Sequence, residues 1–145
     1  MSYPFYLVLH LVGVFLIVVS LGGITLHMMN GGTREFAMRK WVGATHGLGL
    51  LIALIAGFGL LAKLGIGHDG LPVWVIGKLV IWLILGGMPA FIYRKSNLAK
   101  LNWVLIFVLA GFAAYLAAFK PGASAPSPGA TIGSTTNSTF GSTTR

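Results

Sequence analysis

The sequence predicts an all-α protein: an up-down bundle of four transmembrane helices followed by a disordered C-terminal tail. Composition is the first reason. Of 145 residues, 56% are hydrophobic and only 8% are charged, whereas an ordinary soluble domain carries about 25% charged residues. The second is pattern. Four apolar runs, about residues 5–29, 41–62, 72–93 and 101–119, alternate with short polar stretches and make one membrane domain over residues 1–120. The third is the abrupt change after Lys120 to a chain rich in Ser, Thr, Gly, Pro and Ala.

The first run, Phe5 to Met29, has 25 residues without Lys, Arg, Asp or Glu. At about 1.5 Å of rise per residue it can cross a hydrocarbon core of about 30 Å. It lacks a basic leader and is longer than the apolar core of a secretory signal, so it is expected to be retained. Pro4 suits the first helical turn. In heptad register His10, Ile17 and Ile24 share one position, and Gly13, Ser20 and His27 share its partner. That is a seam on which a neighbouring helix can pack, the small residues allowing close approach.

Asn30-Gly31-Gly32 stops the first helix, and Thr33 to Lys40 forms a polar loop. The second run, Trp41 to Ala62, carries Gly43, Gly47, Gly49, Ala53 and Gly57, which gives overlapping small-xxx-small spacings. Lys63 to Gly70 is a glycine-rich loop in which His68 reads as an ordinary surface histidine. Pro72 opens the third run, and Gly86-Gly87-Met88-Pro89 is expected to kink or loosen its second half. Arg94 to Lys100 is a basic loop before the fourth run. Residues 121–145 have too few apolar groups to offset the entropy of ordering, and read as a disordered spacer.

Charge sets the expected orientation. Arg34, Arg39, Lys40, Arg94, Lys95 and Lys100 are six of the ten basic residues, and all fall in the first and third loops. The positive-inside rule puts those loops in the cytoplasm of an inner (cytoplasmic) membrane and both termini outside it. Tyr3, Tyr6 and Trp74 then mark the outer interface, and Trp41, Tyr93 and Trp103 the inner one. A formal charge of +8 invites a nucleic-acid reading, but these cations sit at span ends. The expected partner is the lipid bilayer, with other membrane subunits or a second copy as protein partners, and no nucleic acid.

Polar groups inside the spans are the candidate site residues. His10 and Lys78 lie at a common depth, roughly 9 Å below the start of their helices on the outer face, and Tyr115 can join them. His27 and His46 share a level near the inner face. Facing neutral imidazoles are what a six-coordinate b-type haem iron requires, and Lys78, Arg39 or Lys40 could meet its propionates. His10 and His46 are the candidate metal ligands, and His10, His27, His46 and Lys78 the candidate cofactor contacts.

Other chemistries are poorly supplied. The only acids are Glu35 and Asp69, both in loops, which excludes paired-carboxylate hydrolysis and hard-metal cages. The absence of cysteine excludes disulfides, thiolate metal sites and thioether-linked haem. His27-Met28-Met29 offers ligands suited to copper(I), although adjacent helical residues point apart. Each polar group also has a plainer role. His27 and His46 can be interfacial, His10 a hydrogen-bonded structural histidine, and Lys78 a side chain that snorkels to head groups.

The early histidine, the segment RKWVGATHGLGLL (39–51), the segment PVWVIGKLVIWLILGG (72–87) with its Trp-x-x-x-Lys start, and the closing AFKP (118–121) resemble a superfamily of small bacterial membrane proteins. It includes the SirB-type proteins, the HemJ-type protoporphyrinogen oxidases and the membrane domain of CopD-type copper proteins. The resemblance covers roughly residues 7–121. It implies haem or porphyrin binding, in electron transfer or tetrapyrrole chemistry, with His10 and Lys78 as the carried-over positions. Two departures stand out. Gly47 follows His46 where the SirB pattern has Asp, and the acidic and arginine pattern entering the second helix of the HemJ type is reduced to Glu35, Arg39 and Lys40. The alternatives are a cofactor-free structural or accessory subunit and a copper-handling membrane protein.

Overall fold

The computed structural model describes residues 1–66 and 70–120. His68, Asp69 and the tail at 121–145, with the expectations attached to them, lie outside the described residues. The chain is an all-α four-helix membrane bundle: α1 Tyr3–Met29, α2 Arg39–Lys63, α3 Val73–Arg94 and α4 Ala99–Phe119. All four helices are long and apolar enough to cross a membrane. One end of the bundle, here the terminal end, holds Tyr3 and Phe119. The other, the basic end, holds the turns after α1 and α3.

Backbone chemistry sets where α1 and α2 stop. In α1, Gly32 N–H donates to His27 O at 2.9 Å and Gly31 N–H to Met28 O at 3.3 Å. In α2, Ile66 N–H donates to Leu61 O at 3.0 Å and Gly65 N–H to Ala62 O at 3.3 Å. Both patterns are Schellman caps, which need a left-handed residue after the helix, and Gly31 (φ +77°) and Gly65 (φ +66°) supply it. The expected basic loop at 94–100 is nearly absent. A 3-10 turn at Ser96–Leu98 links α3 to α4, so Lys100 already lies in the first turn of α4. Nor does Pro89 divide α3, which stays helical from Val73 to Arg94.

α1 is the organising helix. It contacts each of the other three, most extensively α2, whereas α2 and α3 meet over a much shorter stretch. Its buried face is Gly13, Ile17, Ser20, Leu21, Ile24, Thr25 and Met28. Against that face sit Ala53 of α2, Ile81, Leu85, Met88 and Ile92 of α3, and Ile106 of α4. Many large apolar side chains, including Phe15, Leu51, Leu83 and Phe107, instead point outward. In water such a surface would drive aggregation, whereas in a bilayer it is the solvent-matched face.

Of the overlapping small-residue tracks on α2, one is used. Gly49, Ala53 and Gly57 face α1, while Gly43 and Gly47 have nothing within 4 Å of where a side chain would begin. A Cβ at Gly13 would lie 2.9 Å from Gly49 O and 2.9 Å from Ala53 Cα. The backbones therefore touch at this level, which divides the α1–α2 seam into two halves.

Candidate functional site

On the terminal-end side of that crossing, His10 leans from α1 onto α2. Its Nδ1 donates to the main-chain carbonyl of Ala53 at 2.8 Å. Because a carbonyl only accepts, this bond makes Nδ1 the protonated nitrogen and leaves the lone pair on Nε2. The ring lies over Gly57, where a Cβ would be 3.4 Å from Cε1. Lys78 of α3 is half-buried, and the Trp82–Leu50 register puts it opposite Leu54, next to Ala53. The Lys78 Nζ lies 4.9 Å from the centroid of Trp74, a cation–π arrangement. Trp74 itself is buried beneath it and is not a lipid-facing marker. Tyr115 does not join this layer. It is half exposed and stacks along α4 with Phe112 and Phe119.

On the other side of the crossing is a buried polar group with a different character. The Ser20 hydroxyl donates to Ile17 O at 2.9 Å and lies 3.1 Å from His46 Nδ1. His46 is 5% exposed, and its Nε2 is sealed without a hydrogen-bond partner. Pro89 has no N–H to give the carbonyl four residues earlier, so Leu85 O lacks its ordinary helical donor.

His27 is separate from both groups. Its Nε2 donates to Thr33 O at 2.9 Å, and the ring stacks on Phe36 at 4.3 Å. A side chain at Gly32 would collide with it. His27 thus folds the first loop back over the end of α1. The two basic-end histidines, expected at one level, are not brought together: His46 binds Ser20, seven residues or about 10 Å of helix before His27. Met28 is buried in the core while Met29 is exposed, so the His-Met-Met run does not converge. Among the described residues no three side chains of His, Cys, Asp and Glu come together.

Three participants carry little signal in the sequence. The heptad puts Ser20 on the seam without pairing it with His46. Trp82 of α3 donates from Nε1 to Leu50 O of α2 at 3.1 Å. Asn102 of α4 is fully buried, and neither amide atom has a partner. The available signal was a lone polar residue in an apolar run, as Asn102 is in LNWVL. A separate groove between α1 and α4, lined by Val18, Gly22, Leu26, Trp103 and Ile106 among others, has no polar lining and suits an acyl chain.

No protein-family profile, curated protein or solved structure matches this chain.

Proposed function

We propose that this integral membrane protein binds a tetrapyrrole, a b-type haem or a porphyrin, at the terminal end of the bundle, where His10 would hold the iron of a haem. The observation that carries the reading is the His10–Ala53 hydrogen bond. A histidine whose Nδ1–H is fixed by a backbone carbonyl keeps the lone pair on Nε2, the tautomer common among metal-ligating imidazoles. Lys78, which the Trp82–Leu50 register puts one helical turn toward the terminal end, beside Ala53, would supply the cation that a propionate requires. When bound, a haem would supply one-electron chemistry. The chain's own part is to orient the ring, hold an anion and keep lipid and water from the face.

The other histidines fit the group less well. His46 Nε2 cannot meet a flat macrocycle unless α1, α2 and α3 part, and His27 Nε2 is engaged by Thr33. The His27–His46 bis-histidine alternative therefore has little geometric support. The resemblance to the SirB, HemJ and CopD superfamily supports the choice of His10 and Lys78. Placement follows the charges: the basic end in the cytoplasm, the terminal end outside, in a bacterial inner membrane.

A second reading is a cofactor-free accessory subunit working with other membrane subunits or a second copy. The structural bonds made by His27 and His46 favour it. Visible absorption of detergent-purified protein after haem supplementation separates the two. A Soret band that His10→Ala removes or shifts supports the tetrapyrrole site. A colourless parent eliminates it in favour of the accessory subunit.

A further inference from the structure

α3 is held to the bundle unevenly. On α4 it packs closely, since a Cβ at Gly77 would lie 3.0 Å from Leu116 Cδ1. Its meeting with α2 is far less extensive than that of α1 with α2. Across the α2–α3 seam the described residues make one side-chain hydrogen bond, Trp82 to Leu50 O, beside which the Leu50 side chain lies against Gly86. Trp82 and Leu50 sit near the middle of their helices, and Gly86, Gly87 and Pro89 follow toward the basic end. These are the residue types that let a membrane helix bend. The α1–α2 seam is the opposite case, because backbone contact at Gly13 leaves nothing to loosen.

Register fixes what the weak seam covers. With Trp82 opposite Leu50 in antiparallel helices, Lys78 falls one turn further toward the terminal end, opposite Leu54 and beside Ala53, the residue that holds His10. The loosely joined stretch of α2 and α3 is therefore the wall between the bilayer and the His10–Lys78 layer.

We propose that this wall is a lateral door. The terminal-end half of α3, pivoting on α4, swings away from α2 about Gly86–Pro89. The Trp82–Leu50 hydrogen bond is its latch. The door admits a flat apolar ligand already dissolved in the bilayer to the His10–Lys78 layer. The ligand class rests on the tetrapyrrole reading of His10, whereas the movement does not.

The chain has no cysteine, so spin labels can be placed without background. Full-length protein in lipid nanodiscs would carry one pair across the door (Ile55→Cys with Ile76→Cys) and a control pair across α1–α2 (Val12→Cys with Leu51→Cys), all four at exposed positions. Pulsed electron–electron resonance should give a short and a long distance population across the door and a single one for the control. Trp82→Phe, which keeps an aromatic ring without the donor, should raise the long population by about threefold, the factor an average membrane hydrogen bond represents. It should also speed haem uptake without moving the final absorption band. A single narrow door distance that Trp82→Phe leaves unchanged would overturn the proposal, as would uptake that is equally fast in both proteins. Movement without pigment uptake by any variant would confirm the door and refute the tetrapyrrole reading.

Discussion

Gly13 and Ala53 meet main chain to main chain: a Cβ on Gly13 would lie 2.5 Å from the Ala53 nitrogen. The same Ala53 carries the carbonyl that fixes His10, so the closest helix crossing and the candidate ligand share one support. Backbone contact of this kind is what small residues provide in a membrane, where no hydrophobic force drives helices together.

Gly13→Ala should therefore force α1 and α2 apart and destabilise the bundle by about 1–3 kcal/mol, the usual cost of overpacking. Gly47→Ala, with open space around it, should be neutral or stabilising by up to about 1 kcal/mol through helix propensity. Reversible unfolding in mixed detergent micelles measures both. Equal effects at the two glycines would show that the crossing does not hold the pair.

The Ser20–His46 contact calls for a double-mutant cycle. Ser20→Ala leaves a buried imidazole nitrogen without a partner and should cost about 1 kcal/mol, within the range found for polar contacts between membrane helices. Once His46→Leu is present, removal of the hydroxyl should cost little. Additive losses would show that the two groups act independently.

Lys78 and His10 should differ in kind. Lys78→Met should weaken pigment retention and leave the band position alone, because its charge contacts a peripheral anion. His10→Ala should alter the band itself. Haem-to-protein ratio and spectrum, taken on variants that insert normally, read the two effects separately. A band shift in Lys78→Met would assign Lys78 to the metal.

Orientation is open to direct labelling. Ala37→Cys and Asn97→Cys, both at the basic end, should react with a membrane-impermeant maleimide only after the cells are opened. Ser2→Cys should react in intact cells. The reverse pattern would overturn the charge-based topology.

Much of the bundle was legible because periodicity and span length are strong signals in an apolar chain. The heptad of Gly13, Ile17, Ser20 and Ile24 is the buried stripe of α1. Direction was harder. Gly43-xxx-Gly47 and Gly49-xxx-Ala53 have the same spacing, and only the crossing angle of α1 decides which is used. His27 is two residues from the end of α1 and His46 seven from the start of α2, because α2 begins at Arg39 rather than Trp41, so the loop carbonyl of Thr33 captures one and the Ser20 hydroxyl the other. Those choices depend on rotation about each helix axis, which composition does not encode. Trp82 was hidden for a related reason: in a tryptophan-rich apolar run nothing distinguishes the indole that finds a carbonyl.

The dominance of the α1–α2 contact also bears on how the protein is made. These two helices are neighbours in sequence, joined by a short turn, so their interface is complete as soon as the second span has left the ribosome. The hairpin can form in the membrane while α3 is still being synthesised, and it already carries His10, Ser20 and His46 in their final positions relative to one another. α3 and α4 then dock onto a finished template. Biogenesis would thus give the first half of the chain the role of a mould and the second half that of a cast. A chain cut after Gly70 and extended by a linker long enough to fill the ribosomal tunnel should, while still arrested, already give the single Val12→Cys–Leu51→Cys distance of the full protein, and chains that need α3 for it would point to concerted assembly.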